Sequence, residues 1–161
     1  MSESPESPLR SFELSIERHI DAPPEAVWKL MTERQSEWWC PKPWRAEVVK
    51  QDWRAGGRSA MMFYGPDGEE MPQEGIFLEV TPGVRFVTTD AITADMKPAG
   101  PFMIGIWESK PEGDGTYYRA CARHWSAEKM EEHKAMGFED GWGACATKLA
   151  DIAEAEAKAD A

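Results

Sequence analysis

The first clear pattern along the chain is an alternation of apolar and polar residues near its start. Over residues 12–20 the alternate positions are apolar: Phe12, Leu14, Ile16 and Ile20. Because successive side chains of a strand point to opposite faces, this predicts a half-buried β-strand. Pro23 and Pro24 then favour the first turn of a helix, and Glu25 suits the positive end of its dipole. A second short helical segment is expected over 33–39, ending before Pro41.

The middle of the chain alternates strand-like segments with tight turns. Strands are expected over residues 45–53, 58–64, 73–80, 84–90, 102–109 and 116–125. Glycine and proline mark turns at 55–57, 65–68, 81–83 and 111–115. Strands that are joined by short turns, without helices between them, predict an antiparallel sheet rather than a parallel one.

The last third of the chain has a helical period. Ser126 suits the N-cap of a helix over 127–136, and Gly137 interrupts that helix. Apolar residues then recur at steps of 4, 3, 4 and 3: Phe138, Trp142, Cys145, Leu149 and Ile152. This spacing predicts one apolar face of a long final helix. Gly141 and Gly143 flank Trp142, and each costs about 1 kcal/mol relative to alanine inside a helix. That cost predicts a close backbone approach, or space reserved for the indole.

The length and the overall composition indicate one globular domain. The chain has 161 residues, 42% of them hydrophobic, and contains no apolar run of the length that a membrane-spanning helix needs. Residues 1–10 are acidic and rich in proline, which is the opposite of the basic and then apolar order of a signal peptide. They are expected to form a flexible tail. The domain is expected over 11–156, with a frayed end at 157–161.

The charge and the cysteines restrict the partners and the compartment. A net charge of −11 disfavours nucleic acid and anionic membranes, which need clustered Lys and Arg. Cys40, Cys121 and Cys145 form no CxxC pair, which favours a reducing, cytoplasmic location over a disulfide framework or a zinc ribbon. No motif for a metal or a nucleotide cofactor is present, so neither is expected. The expected oligomeric state is a monomer or a weak homodimer.

Eight tryptophans indicate a large apolar interior. They are Trp28, Trp38, Trp39, Trp44, Trp53, Trp107, Trp125 and Trp142. Each indole can bury about 150–250 Å² of surface while its N–H still requires a partner. The interior they build is either a filled core or a ligand cavity, and this choice decides the function.

The order of these elements and a set of short motifs resemble the START-like (SRPBCC, helix-grip) superfamily, and within it the bacterial proteins similar to the activator of the heat-shock-protein-90 ATPase. The resemblance covers residues 12–153. The motifs are Ile20 to Trp28, Trp38-Trp39, Asp52 to Gly57, Asp67-Gly68, Glu74-Gly75, Gly115-Thr116, and Gly141-Trp142 with Leu149. The resemblance implies an α+β fold in which a curved antiparallel sheet of six or seven strands wraps around a long C-terminal helix. Two short helices follow the first strand, and a cavity for an apolar or amphipathic small molecule lies between sheet and helix.

The resemblance and the aromatic positions together give a candidate site. The expected lining of the cavity is Trp39, Trp44, Met61, Phe63, Phe77, Trp107, Tyr118, His124, Phe138 and Trp142. For each of these residues, plain core packing is the alternative. His124 is a weak candidate for a general base or a ligand-orienting donor. His19 and His133 are expected at the surface. Cys40, near Lys42, is a weak candidate for a reactive thiol.

Three functions remain open from the sequence. The first is a cytoplasmic protein that binds an apolar small molecule. The second is an activator of a chaperone ATPase, although the activating relatives also carry a separate N-terminal chaperone-binding domain, for which 161 residues leave no room. The third is a cyclase- or hydrolase-type enzyme that uses His124 or Tyr118 as an acid–base group. No complete catalytic motif is present, so catalysis is not expected.

Overall fold

The structure is a computed structural model, and it describes residues 12–160. Its elements in chain order are β1 (Glu13–Ile20), α1 (Pro24–Glu33), α2 (Gln35–Trp38), β2 (Arg45–Gln51), β3 (Arg58–Tyr64), β4 (Glu70–Thr81), β5 (Arg85–Thr89), β6 (Met103–Glu112), β7 (Gly115–His124), α3 (Ala127–Ala135) and α4 (Phe138–Ala159). The expected tail over 1–10 lies outside the described residues. No helix within 12–160 is long and apolar enough to cross a membrane.

The seven strands form one antiparallel sheet in the order β1-β7-β6-β5-β4-β3-β2. Strands β2 to β7 follow one another as a meander, and β1 is added beside β7. The predicted α+β helix-grip fold is confirmed, with seven strands and two helices between β1 and β2. The largest changes are in β4, which begins three residues before the predicted strand, and in β6, which ends three residues after it.

Two irregularities bend the half of the sheet that contains β2 to β5. The pairing register shifts between Val48 and Lys50 in β2, and again between Phe77 and Glu79 in β4. Bulges of this kind bend a strand and increase its twist. At Gly75, two residues before Phe77, a Cβ atom would collide with the carbonyl oxygen of Thr89 on β5. Only glycine therefore allows the two backbones to approach so closely here.

The helix α4 packs closely against β1, α1 and α2 along its C-terminal half. Leu149, Ala150 and Ala153 are buried there. The Asp21 N–H donates to Glu154 Oε2 at 2.9 Å, and Arg34 pairs with Glu156 at 2.7 Å. The helix continues to Ala159, through most of the segment expected to fray. Small and apolar side chains thus bring this end of α4 against the rest of the fold.

Several aromatic rings pack in the core between α1 and the sheet. Trp53 packs on Phe77 and Phe86 with ring centroids 4.6 and 4.9 Å apart. Trp38 is fully buried, and its indole N–H donates to the Leu30 carbonyl oxygen at 2.9 Å. These rings stabilise the region between α1 and the sheet by packing and by a satisfied indole donor.

Candidate functional site

A cavity of about 360 Å³ lies between the first turns of α4, the helix α3, the loop after α2 and the strands β3 and β4. Its lining residues are Trp39, Cys40, Pro41, Trp44, Phe63, Met71, Gln73, Phe102, Met103, His133, Met136, Gly137, Phe138, Gly141, Trp142 and Cys145. Most of these side chains are aromatic, sulfur-containing or aliphatic. A volume of this size falls at the lower end of the range for small-molecule sites, about 300–1,000 Å³.

Three indoles form one aromatic cluster beside the cavity. Trp107 and Trp142 are stacked, with centroids 5.4 Å apart and planes 16° from parallel. Trp39 meets both rings edge-on, at 5.4 and 5.1 Å. Phe138 is tilted against Trp142 at 4.6 Å. Because each ring is held by another ring in a favourable geometry, the cluster is a rigid surface for an apolar ligand.

The first turns of α4 supply one side of the cavity through their helical spacing. Gly137 is the N-cap of α4 and has a left-handed φ of +96°. Glycine adopts this backbone conformation more easily than other residues. Phe138, Gly141, Trp142 and Cys145 then face the cavity at intervals of three, one and three residues. Trp39 and Trp44 approach from the loop after α2, and Phe63 from β3. At the rim, Met71 is 53% exposed and Met136 is 71% exposed.

Half of the ten residues expected to line a cavity line this one: Trp39, Trp44, Phe63, Phe138 and Trp142. Met61 and Trp107 instead line a narrow adjoining pocket of about 50 Å³, which shares Trp39, Gln73 and Met103 with the larger cavity. Phe77, Tyr118 and His124 line neither pocket. The two pockets therefore collect seven of the ten residues.

Phe77 and Tyr118 are core residues. Both are fully buried. No described residue is a hydrogen-bond partner for Tyr118 Oη, and burial raises the pKa of this hydroxyl well above its ordinary value. Because a neutral phenol in an apolar surrounding holds its proton tightly, Tyr118 is poorly suited to acid–base chemistry at neutral pH.

The histidines of α3 and β7 form a buried pair. His124 Nε2 lies 2.8 Å from His133 Nδ1, and His124 Nδ1 lies 2.7 Å from the Phe12 carbonyl oxygen. The sequence prediction that His133 is at the surface is wrong: it is 8% exposed and lines the cavity. The charged neighbours Glu131 and Glu132 face outward, while one turn of α3 directs His133 inward. Burial, together with nearby His124, lowers the pKa of His133 to about 4.

Cys40 and Cys145 meet at the cavity wall. The Cys40 N–H donates to Cys145 Sγ at 3.2 Å, and Cys40 has a left-handed φ of +95°. Burial raises the pKa of the Cys145 thiol to about 11 and also raises that of Cys40. The thiolate is the nucleophilic form, so these values argue against a reactive thiol at Cys40.

The two glycines beside Trp142 do not mark a close backbone approach. A Cβ atom at Gly141 would lie 3.7 Å from Pro41 Cγ, an ordinary contact, and one at Gly143 would meet no atom within 4 Å. The expectation of a close approach is wrong. Of the two glycines, only Gly141 lines the cavity, which agrees with the other expectation, that room is left near Trp142.

Several lining residues have no clear signal in the sequence. Met71 and Met136 occupy positions that look solvent-exposed, and Phe102 follows an irregular loop. His133 lies three residues after Met130 and five before Phe138, a spacing too weak to show an apolar helix face beside so many charges. Within residues 12–160, no group of three or more His, Cys, Asp or Glu side chains could hold a metal ion.

Comparison with known proteins gives a family and several related structures. Residues 21–154 match the family described as activator of Hsp90 ATPase homolog 1-like protein. A solved structure from Nitrosomonas europaea is 35% identical in sequence, with 89% of this chain and 95% of that chain covered and a TM-score of 0.84. Comparison with curated proteins finds no match.

Two more distant structures share the fold alone. A Mycobacterium smegmatis protein is 23% identical, covers 89% of this chain and 91% of its own, and has a TM-score of 0.74. A protein from Aeromonas hydrophila, described as AHSA1-like, is 20% identical, covers 89% and 93%, and has a TM-score of 0.67. The fold thus persists where few residues are shared.

Proposed function

The chain belongs to the activator of Hsp90 ATPase homolog 1-like family, and we propose that it binds an apolar or amphipathic small molecule in the cavity beside α4. The observation that carries this proposal is a space of about 360 Å³ lined by Trp39, Phe138 and Trp142. A recess of this size lined mainly by apolar and aromatic side chains is typical of small-molecule sites. An apolar ligand would restore the contacts that these rings lack.

Binding is favoured over catalysis by the state of the candidate reactive groups. The Cys40 thiol has a raised pKa because it is buried, Tyr118 is enclosed in the core, and both ring nitrogens of His124 are engaged. A general base needs reach to its substrate and a suitable pKa. The cyclase- or hydrolase-type alternative therefore has less support than a carrier or sequestering role.

The test uses two glycines in the same helix turn as matched positions. Gly141→Leu adds a side chain to the cavity wall, whereas Gly143→Leu adds the same side chain where nothing lies within 4 Å of the Cβ. Calorimetric titration with 2-methoxynaphthalene is expected to show saturable binding to the unmodified protein. Gly141→Leu should weaken it at least about tenfold, since apolar contacts are replaced, while Gly143→Leu should leave it unchanged.

Two results would count against the proposal. One is the absence of saturable binding for any of a panel of naphthalenes, long-chain alcohols and fatty acids. The other is an equal loss of affinity in both leucine variants, which would place the bound probe elsewhere. Native mass spectrometry of the purified protein adds an independent measurement, because a retained natural ligand would add a defined mass.

Activation of a chaperone ATPase is the second candidate, since the family description refers to it. The exposed valines Val48 and Val49 of the edge strand β2 favour a protein contact, being 45% and 54% exposed. Edge strands with apolar side chains are surfaces on which another chain can pair. The ATP turnover of an Hsp90-type chaperone should rise when the protein is added and fall back with Val49→Lys; an unchanged rate with the unmodified protein rejects this role.

A further inference from the structure

A three-member hydrogen-bond chain runs from the start of β1 to the cavity. The Phe12 carbonyl oxygen lies 2.7 Å from His124 Nδ1, and His124 Nε2 lies 2.8 Å from His133 Nδ1. His124 is 1% exposed and His133 is 8% exposed. Of the two rings, only that of His133 lines the cavity.

The carbonyl oxygen fixes the positions of the protons. A carbonyl oxygen only accepts, so His124 Nδ1 carries the hydrogen that it donates to Phe12. In a neutral His124, Nε2 is then the acceptor, and the proton between the two rings belongs to His133 Nδ1. A neutral His133 with its proton on Nδ1 has an unprotonated Nε2. The pattern therefore assigns a lone pair to His133 Nε2.

The surroundings of the two rings disfavour a buried cation. Neither histidine forms an ion pair with a described carboxylate, in contrast to exposed His19, which pairs with Asp21 and Glu112. The rings that surround His133 are apolar: Phe102 at 4.8 Å, Phe138 at 5.1 Å and Trp142 at 5.8 Å. Burying an unpaired charge among such rings is costly.

The second ring nitrogen of His133 is the atom that the pair leaves for a ligand. Among the described residues no hydrogen-bond partner is found for Nε2, although His133 as a residue is only 8% exposed. His133 lines the cavity, and Nε2 is the ring nitrogen that its contact with His124 does not use.

We propose that the His124–His133 pair presents one fixed hydrogen-bond acceptor, His133 Nε2, to a cavity lined mainly by apolar side chains. The ligand is then an uncharged amphipathic molecule that carries an O–H or N–H donor, such as a phenol or an alcohol. This inference rests on the proposed function and specifies the ligand class. A carboxylate is disfavoured, because its negative charge would face a lone pair among aromatic rings.

Two probes of nearly equal shape test the donor requirement. 2-Naphthol carries an O–H donor, whereas 2-methoxynaphthalene keeps the same rings and an oxygen acceptor but has no donor. Titration calorimetry at pH 7.5 should show that 2-naphthol binds about three- to tenfold more tightly, the range expected for one net hydrogen bond.

The variants His133→Phe and Gln73→Leu locate the acceptor. Gln73 is the amide side chain of the cavity wall and the alternative acceptor, but it is exposed. His133→Phe keeps a planar ring and removes the lone pair, so the two probes should bind equally. Gln73→Leu should preserve the preference for 2-naphthol. Loss of the preference in Gln73→Leu, or its survival in His133→Phe, overturns the proposal.

A measurement on the unmodified protein does not depend on the folding of any variant. Nitrogen-15 NMR of the histidine rings distinguishes protonated from unprotonated ring nitrogens, because their chemical shifts are well separated. At pH 7.5, His133 should show a protonated Nδ1 and an unprotonated Nε2. A proton on Nε2 contradicts the assignment.

The outcomes separate this inference from the proposed function. If no member of the panel binds, the two naphthalenes included, the cavity proposal fails and the inference falls with it. If both bind with equal affinity to the unmodified protein, the cavity is a binding site and the acceptor is not used. Tighter binding of 2-naphthol that depends on His133 supports both.

Discussion

The two ends of α4 show how one helix can close one side of a fold and leave the other open. At the C-terminal end, Leu149, Ala150 and Ala153 are almost completely buried against β1, α1 and α2. At the N-terminal end, Phe138 and Trp142 border a cavity of about 360 Å³. The same element therefore contributes to a close-packed core and to the candidate site.

The difference follows from side-chain size and from the shape of the sheet. Alanines allow a helix to approach its neighbours closely, and the ion pair between Arg34 and Glu156 lies across that closed end. Toward the other end the sheet is bent by the bulges in β2 and β4. A straight helix cannot follow a bent sheet along its whole length, so large rings meet the remaining space.

The largest expected effect comes from shortening a buried side chain in the C-terminal half of α4. Leu149→Ala removes a fully buried side chain, and the free energy of unfolding should fall by about 2–5 kcal/mol. The control is Met136→Ala, two residues before α4, whose side chain is 71% exposed; its effect should stay within about 0.5 kcal/mol. Urea denaturation followed by circular dichroism measures both. Equal losses in the two variants would mean that the ends do not differ.

Adding a leucine side chain near each end of α4 should give a smaller difference in the free energy of unfolding, caused by overpacking rather than by lost packing. Ala150→Leu inserts volume into a packed interface and should lower the free energy of unfolding by about 1–3 kcal/mol. Gly141→Leu replaces a helical glycine beside a cavity, where leucine has the better helix propensity, so its free energy of unfolding should change by less than about 1 kcal/mol. If Gly141→Leu proves the more destabilising, the cavity is not available space.

Low pH should lower the free energy of unfolding through the protonation of His133. Burial and His124 lower the pKa of His133 from 6.5 to about 4. Between these values the unfolded chain binds a proton that the folded protein does not, so this contribution to stability is present above pH 6.5 and is lost as the pH falls toward 4. In His133→Phe, the free energy of unfolding should depend less steeply on pH between 6.5 and 4.5. An unchanged slope in that variant would contradict the buried, neutral state.

The smallest effect concerns helix propensity alone. Gly143→Ala places a methyl group where no atom lies within 4 Å of the Cβ, so it should raise the free energy of unfolding by about 0.5–1 kcal/mol. Because Gly143 does not line the cavity, the affinity for 2-methoxynaphthalene should not change. A destabilised Gly143→Ala would show that the glycine has a role in the native backbone.

Particular residues show why the fold was more predictable than the site. The alternation around Leu14 and the spacing of Phe138, Trp142 and Leu149 are local patterns, and the elements follow them closely. The burial of His133 does not follow from a local pattern, because it depends on where α3 packs against the sheet. Met61 and Phe63 occupy the same strand face by alternation, yet they line different pockets.

Local patterns in the sequence are enough to predict the order of the helices and strands, the apolar face of α4 and a large aromatic interior, because periodicity and turn residues act over a few neighbouring positions. The folded arrangement of distant segments separates the rings that fill the core from those that border a cavity. It also decided that His133, in a charged helix, joins His124 beneath that cavity. These features depend on sheet bending and on contacts between distant segments, such as Phe12 with His124, and no local pattern encodes them.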